Sequence, residues 1–191
     1  MKVVAFNGSP RKEGNTFQSI KTVCEEMEQQ GIDTEIIQIG GKLIHGCRSC
    51  YGCFKNKNKE CVIKDDELND YLRIMIDADG IIIGSPVYFS NVSSETKAFI
   101  DRAGLVARAN DYLFARKVGA AVVAVRRAGA TFAFSAINFF FFIEQMIVPG
   151  SVYWNLGIGR EPGEVQKDEE GMVTFKTLGR NMAWLLKKLK A

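Results

Sequence analysis

The chain has no apolar run long enough to cross a bilayer. In 191 residues the longest is six, Ala120 to Val125, and the phenylalanine-rich stretch near residue 140 is broken by Ser135 and Asn138. A membrane-crossing helix needs about 20 apolar residues, so none is expected. A dominant charge is also missing. Lys and Arg number 25 against 22 Asp and Glu, a net charge of +3, too small and too scattered for the electrostatic footprint that a nucleic-acid backbone requires. The densest basic cluster, Lys187, Lys188 and Lys190, falls at the end of a predicted helix, where it complements the helix dipole. Neither nucleic acid nor a membrane is expected as a partner. Repeats, low-complexity tracts and linkers are lacking as well, and with 47% apolar and 25% charged residues the composition excludes disorder, collagen and coiled coil. A single domain over residues 1–191 follows. The opening MKVVAFNGSP has no secretory-leader layout and the closing KKLKA matches no lipidation or retention signal, so the expected location is cytoplasmic.

What is present is an alternation of strands and helices. Lys2 to Asn7 reads as a buried strand, and Thr16 to Gln30 as a helix with Phe17, Ile20, Cys24 and Met27 on one face. Thr34 to Ile39 reads as a second strand. Residues 40–64 form a polar, cysteine-containing insert without periodicity, followed by a helix from Asp66 to Asp77. Gly80 to Gly84 is a short apolar strand, Ser93 to Arg102 a helix, Val118 to Val125 a strand, Thr131 to Val148 a long helix, Ser151 to Trp154 a last strand and Thr174 to Lys190 the closing helix. Apolar strands alternating with helices imply an α/β fold: a doubly wound parallel sheet covered on both faces. Five strands with right-handed crossovers suit the flavodoxin-like order 2-1-3-4-5, whose ligand crevice opens at the carboxyl ends of strands 1 and 3.

Three loops should meet at that edge. After strand 1 comes Gly8-Ser9-Pro10-Arg11-Lys12-Glu13-Gly14-Asn15-Thr16, after strand 3 Ser85-Pro86-Val87-Tyr88-Phe89-Ser90-Asn91, and after strand 4 Arg126-Arg127-Ala128-Gly129. The first suits a monophosphate, because a helix N-terminus offers free N–H groups, Ser9, Asn15 and Thr16 add short polar groups, and Arg11 adds charged donors. It is neither a Walker A loop, since Asn15 stands where Lys is needed, nor GxGxxG. The plain alternative is a helix capped by Asn15 or Thr16. Pro86, Tyr88 and Phe89 give the second loop a rigid, partly aromatic edge suited to a flat ring system, or to ordinary packing.

Gly8-Ser9-Pro10-Arg11 with Gly14-Asn15-Thr16, and Gly84-Ser85-Pro86-Val87-Tyr88 followed by Lys97-Ala98-Phe99-Ile100-Asp101-Arg102, resembles the NADPH-dependent FMN reductase family of flavodoxin-like proteins. The resemblance implies that Ser9, Arg11, Asn15 and Thr16 hold the FMN phosphate and that Pro86 to Ser90 line the isoalloxazine ring, with Ser85 counted among the cofactor-binding residues. The third loop departs from the glycine pair that many relatives carry. Arg126 or Arg127, ahead of Ala128 and Gly129, would place a guanidinium near the flavin pyrimidine edge and stabilise anionic reduced FMN; solvent-facing arginines are the alternative.

Cysteine is sparse but concentrated. Cys24 lies alone on the core face of its helix, whereas Cys47, Cys50, Cys53 and Cys61 share one segment, which in a reducing compartment points to metal or redox chemistry before disulfides. Cys47-Arg48-Ser49-Cys50-Tyr51-Gly52-Cys53 is similar to the compact cysteine motif of iron-sulfur flavoproteins, a branch of the same fold with a 4Fe-4S cluster beside FMN. Three thiolates at two-residue gaps, with small Ser49 and Gly52 between them, can hold three irons of a cube, and Cys61 would be the fourth ligand. Zinc and free redox-active thiols remain open as alternatives. His45, beside four thiols, reads as a bystander. Lys55, Lys57 and Lys59 form a basic loop suited to an acidic electron-transfer partner.

The segment Phe132 to Val148, with Phe139-Phe140-Phe141-Phe142-Ile143, is apolar on nearly every side as a helix, so a homodimer or homotetramer is expected with this helix at the interface. The expected function is an FMN-dependent oxidoreductase in which NAD(P)H reduces the flavin and a quinone, free flavin or other small acceptor takes the electrons. Two alternatives accompany it: an iron-sulfur flavoprotein fed by ferredoxin through a 4Fe-4S cluster, and a non-catalytic carrier or zinc-stabilised binding module. No protein acid or base is named as catalytic, because the flavin carries the chemistry.

Overall fold

The computed structural model describes residues 1–190. Five parallel strands, β1 (Lys2–Asn7), β2 (Asp33–Gln38), β3 (Gly80–Pro86), β4 (Val118–Val125) and β5 (Leu156–Ile158), form one sheet in the order β2-β1-β3-β4-β5. This is the flavodoxin-like order expected from the alternation of elements. Strands β1, β3 and β4 are buried almost end to end because helices cover both faces. Register pairs Val3 with Gly80, Ile82 with Ala120 and Val123 with Leu156, so the carboxyl ends of β1, β3 and β4 share one edge.

One face is covered by α1 (Asn15–Glu28) and α6 (Glu169–Lys190), whose Ile20, Val23, Met27, Phe175, Leu178 and Met182 pack on Val3, Ala5 and Val122. Cys24 belongs to this core, where burial pushes its thiol up to about 12, and has no part in solvent chemistry. The other face is covered by α3 (Leu68–Asp77), α4 (Ser94–Ala109) and α5 (Ala130–Ile143), with the rings of Phe6, Tyr71 and Phe99 packed in tilted and edge-to-face contacts at its centre. Among the described residues no helix is long and apolar enough to cross a membrane.

Several boundaries differ from the sequence pattern. The insert contains one short helix, α2 (Gly52–Asn56), and α6 begins at Glu169, ahead of Thr174. Helix α5 stops at Ile143, because Gln145 turns into the left-handed region at φ 59° and Ile147 then bridges to Val118 in sheet fashion. The last strand is Leu156–Ile158, not Ser151–Trp154. Asn155 marks its start: its side chain donates to Ala121 O at 3.0 Å and accepts from Ser151 Oγ at 2.6 Å, while its carbonyl takes Val123 N–H at 3.0 Å. Val152, Tyr153 and Trp154 look like strand residues by type, but they lie on the surface, each more than half exposed.

Candidate functional site

The loop from β1 to α1 is braced from beneath by two buried or half-buried amides. Asn7 accepts the Ser9 N–H at 3.1 Å and donates to Gln38 Oε1 at 2.7 Å, and Gln38 donates to the carbonyls of Ser9 (2.6 Å) and Gly40 (2.7 Å). Ser9 Oγ takes the Arg11 N–H at 3.2 Å. Gly8 is pinned between β3 and α4, its N–H donating to Gly84 O (2.8 Å) and its carbonyl accepting from Ser93 Oγ (2.7 Å). A Cβ at Gly8 would lie 1.9 Å from Thr96 Oγ1, so only glycine fits.

The N-cap of α1 is Gly14, which offers no side-chain acceptor. Asn15 does not cap the helix; its Oδ1 accepts the N–H of Val165, at 3.3 Å. The first rung of the helix ladder runs from Gln18 N–H to Gly14 O, which leaves the N–H groups of Asn15, Thr16 and Phe17 ahead of it. The alternative of a side-chain-capped helix is therefore set aside, and an uncapped, electropositive helix end faces a cavity of about 380 Å³. Ser9, Arg11, Asn15 and Thr16 line it on one side, Pro86, Val87 and Tyr88 on another, with Arg126 beside them.

The β3–α4 loop supplies the flat edge. Val87 N–H extends the sheet by donating to Ala124 O at 3.1 Å. Tyr88 and Asn91 exchange two backbone hydrogen bonds (2.9 and 3.0 Å) around a tight turn, whose tip residues Phe89 and Ser90 have φ of 48° and 58°. Phe89 is fully exposed at that tip. Ser90 packs on Gly129, whose φ of 86° and lack of Cβ permit the approach. Ser85 is buried and structural: its Oγ accepts the Ser93 N–H at 3.0 Å and donates to Pro86 O at 2.8 Å.

Of the third loop, Arg126 reaches the cavity, while Arg127, Ala128 and Gly129 line a neighbouring depression with Tyr153 and Trp154. Sequence reasoning missed Gly159, Arg160 and Glu161, which close the cavity from beyond β5. Arg11 Nη1 donates to Arg160 O at 3.3 Å, and Glu164 accepts the N–H groups of Arg160 and Glu161, both at 2.9 Å. Those two donors hold the Glu164 carboxyl below the usual carboxylate range. Three guanidinium-bearing residues, Arg11, Arg126 and Arg160, thus surround the cavity with one carboxylate, Glu161, a balance suited to an anion.

The cysteine segment is arranged differently. Cys53, on α2, is buried with its thiol 3.8 Å from Leu105 O; Cys61 is half-buried with its sulfur 3.4 Å from Arg102 Nε; Cys47 and Cys50 are exposed. Burial, reinforced by the charges of Cys61 and Cys47, pushes the Cys53 thiol up. Among the described residues no three His, Cys, Asp or Glu side chains converge tightly enough to hold a metal ion. His45 turns toward Asp65, its Nε2 lying 3.2 Å from the carboxylate.

A model of the NADPH-dependent FMN reductase family matches residues 1–161, a span that takes in every strand and the cradle. The chain belongs to that family. An iron-sulfur flavoprotein of Methanocaldococcus jannaschii is 37% identical over the full length of both chains, and a second from the same organism is 32% identical over 94% of each. Among solved structures, RosB with a bound riboflavin-phosphate intermediate superposes with a TM-score of 0.79 at 19% identity, over all of this chain and 80% of that one, a likeness of fold. Membership in the FMN reductase family makes this chain an FMN-dependent oxidoreductase.

The residues of the cradle suit FMN. An uncapped helix end with Ser9, Thr16 and Arg11 around it matches a phosphate, and the backbone edge of Pro86 to Tyr88 matches a planar ring. Four thiols in one segment, Cys47, Cys50, Cys53 and Cys61, are the donor chemistry of an iron-sulfur centre.

Proposed function

We propose that this protein is an iron-sulfur flavoprotein in the functional sense: an FMN-dependent oxidoreductase whose Cys47, Cys50, Cys53 and Cys61 hold a 4Fe-4S cluster, and which takes single electrons from a ferredoxin-type donor for delivery to a small acceptor. The observation that carries it is that both regions are fastened to one helix. Ser93, the N-cap of α4, holds Gly8 of the cradle, while Arg102 and Leu105 of α4 contact Cys61 and Cys53. Bound FMN supplies redox chemistry that works in steps of one or two electrons, which lets a one-electron donor serve a two-electron acceptor. The first turn of α1 with Ser9, Thr16 and Arg11 anchors the phosphate, Pro86 to Tyr88 orient the ring, and Arg126 adds positive charge beside it. Exposed Lys55, Lys57 and Lys59 present a basic face to an acidic donor. The names of the full-length relatives support this reading.

The family match itself favours a second reading, in which NAD(P)H delivers hydride to the flavin and the thiols hold no cluster. Protein purified without oxygen separates the two. The first reading expects one FMN and about four irons and four sulfides per chain, with bleaching by reduced ferredoxin and none by NADH or NADPH. FMN without iron, bleached by NADPH, would establish the second; zinc on the thiols would defeat the first, and no flavin after reconstitution would defeat both.

On this reading the protein works in the cytoplasm, where thiols stay reduced, as a homodimer or homotetramer. Phe132, Phe139, Phe142 and Ile143 of α5 leave an apolar face open, beside Val152, Tyr153 and Trp154. A monomeric mass by light scattering at micromolar concentration would refute the assembly.

A further inference from the structure

The most heavily bonded side chain outside the cradle belongs to a residue with no assigned role. Arg102, in the middle of α4, is 1% exposed, and each of its three guanidinium nitrogens is used. Nε donates to Cys61 Sγ at 3.4 Å, Nη1 to His45 O at 3.2 Å and to the Asp66 carboxylate, and Nη2 to Ile63 O at 3.2 Å. His45 precedes the cysteine block and Cys61, Ile63 and Asp66 close it, so one planar group ties together both ends of a segment of more than 20 residues. Asp66 completes the tie by accepting the His45 N–H at 2.9 Å. A surface arginine would lose side-chain entropy for little return, and a buried charge is tolerated only when fully partnered. Asp66 would satisfy the charge alone. The Nε contact to sulfur and the two carbonyl contacts are what Asp66 does not explain, and they are bonds that lysine, with no fixed fork, does not reproduce.

We propose that Arg102 is a positioning residue for the metal centre: it fixes the two ends of the cysteine segment, presets Cys61 as a ligand, and donates a hydrogen bond to the Cys61 sulfur that raises the reduction potential of the cluster. The proposal rests on the cluster reading above. A hydrogen bond to a ligand sulfur favours the more negative, reduced form, which is one of the ways a protein sets such a potential.

The test compares anaerobically purified wild type with Arg102→Lys and Asp66→Asn. Arg102→Lys keeps a cation beside Asp66 but loses the Nε donor; Asp66→Asn weakens the clamp and keeps that donor. The cluster potential of Arg102→Lys should move negative by about 59 mV, a tenfold change in the ratio of reduced to oxidised cluster, with that of Asp66→Asn, which removes a negative charge, not moving negative. No shift in Arg102→Lys, or an equal shift in Asp66→Asn, would overturn the proposal. A wild type without iron would sink the cluster reading separately. The clamp is then read by hydrogen exchange on metal-free protein: protection over residues 45–66 should fall at least tenfold in Arg102→Lys while α1 and α6 keep theirs, and unchanged protection overturns it. If Arg102→Lys does not fold, wild type labelled with 15N-arginine decides. One slowly exchanging Nε–H signal should broaden in the cluster-loaded protein, and its staying sharp refutes the contact to sulfur.

Discussion

The cradle and the cysteine segment hang from the same helix and are built on opposite plans. In the cradle, the chain ends of β1 and β3 fix the loop, and the groups offered to a ligand are backbone N–H groups that the fold has already aimed. In the cysteine segment only α2 is regular; Ser49, Tyr51, Lys57 and Lys59 sit at positive φ without being glycine, and the order comes from side chains, namely Arg102, Asp66 and Asn69, which bonds both the N–H and the carbonyl of Cys61 at 2.8 and 3.0 Å. A phosphate site made of backbone exists before its ligand arrives. If the cysteines hold the proposed cluster, their site has to await its metal, because bringing four anionic sulfurs together is favourable only when cations hold them.

That contrast can be broken by asking whether each region fails alone. The largest effect is expected for Cys53→Ser and Cys61→Ser, each of which should lower iron content to below about a tenth of wild type while leaving FMN content within about twofold, as four thiolates are needed to complete the centre. Flavin lost in parallel with iron would show that the two regions form one cooperative site. The converse change is Gly8→Ala. Its Cβ would meet Thr96 Oγ1 at 1.9 Å and Gly84 O at 2.8 Å, and a backbone clash of that kind costs about 1–3 kcal/mol. FMN affinity, measured by fluorescence quenching, should fall about 100-fold, with iron retained if α4 moves as a rigid body.

How legible each region was in the sequence follows from the same difference. The sheet order, both helical layers and the cradle loops could be read because apolar strands and Gly-Ser-Pro turns carry their geometry locally. Asn7, Gln38 and Arg102 escaped: a polar residue at a strand end or a helix position has no periodic signature, and its importance lies in partners 30 to 60 positions away. Residues 159–161 escaped for another reason. Val152, Tyr153 and Trp154 match strand propensity better than Leu156-Gly157-Ile158 does, so the last strand was set a few residues early and the loop beyond it went unread. Only packing shows that Ser85 holds the N–H of Ser93 while Arg127 lines the depression next door.

A smaller effect is expected for Arg11→Ala. Its side chain is exposed and makes one hydrogen bond, to Arg160 O, so its removal leaves the loop in place and withdraws a charged donor. One charge-assisted hydrogen bond is worth about 1.5–3 kcal/mol when buried and less at an exposed position; about a tenfold loss of FMN affinity is expected, diminishing with added salt. An unchanged affinity would assign the phosphate to the backbone alone and sharpen the contrast.

A last effect, confined to high pH, concerns the shared helix. Glu144, at the end of α5, is fully buried with both carboxylate oxygens unpartnered, and a Cβ on Gly104 of α4 would lie 3.2 Å from its Oε1. Burial pushes its pKa from 4.5 up to about 7, against a lowering influence from Arg108. The native state therefore holds this proton more tightly than the unfolded chain does. The stability it contributes is complete below about 4.5 and is lost as pH rises through about 7. Glu144→Gln should flatten that slope, gaining about 1–3 kcal/mol at pH 8, the usual cost of an unsatisfied polar group, and nothing near pH 4.5. Gly104 lies between Arg102 and Leu105, the two α4 residues that touch the cysteine segment, whereas the cradle is tied to the start of α4 at Ser93. Raising the pH of metal-free wild type from 5 to 8 should accordingly loosen residues 45–66 in hydrogen exchange before residues 8–16, after correction for intrinsic exchange, and Glu144→Gln should abolish the difference. Equal loosening of both would mean that α4 transmits strain along its whole length, and that two regions built on opposite plans nevertheless respond as one.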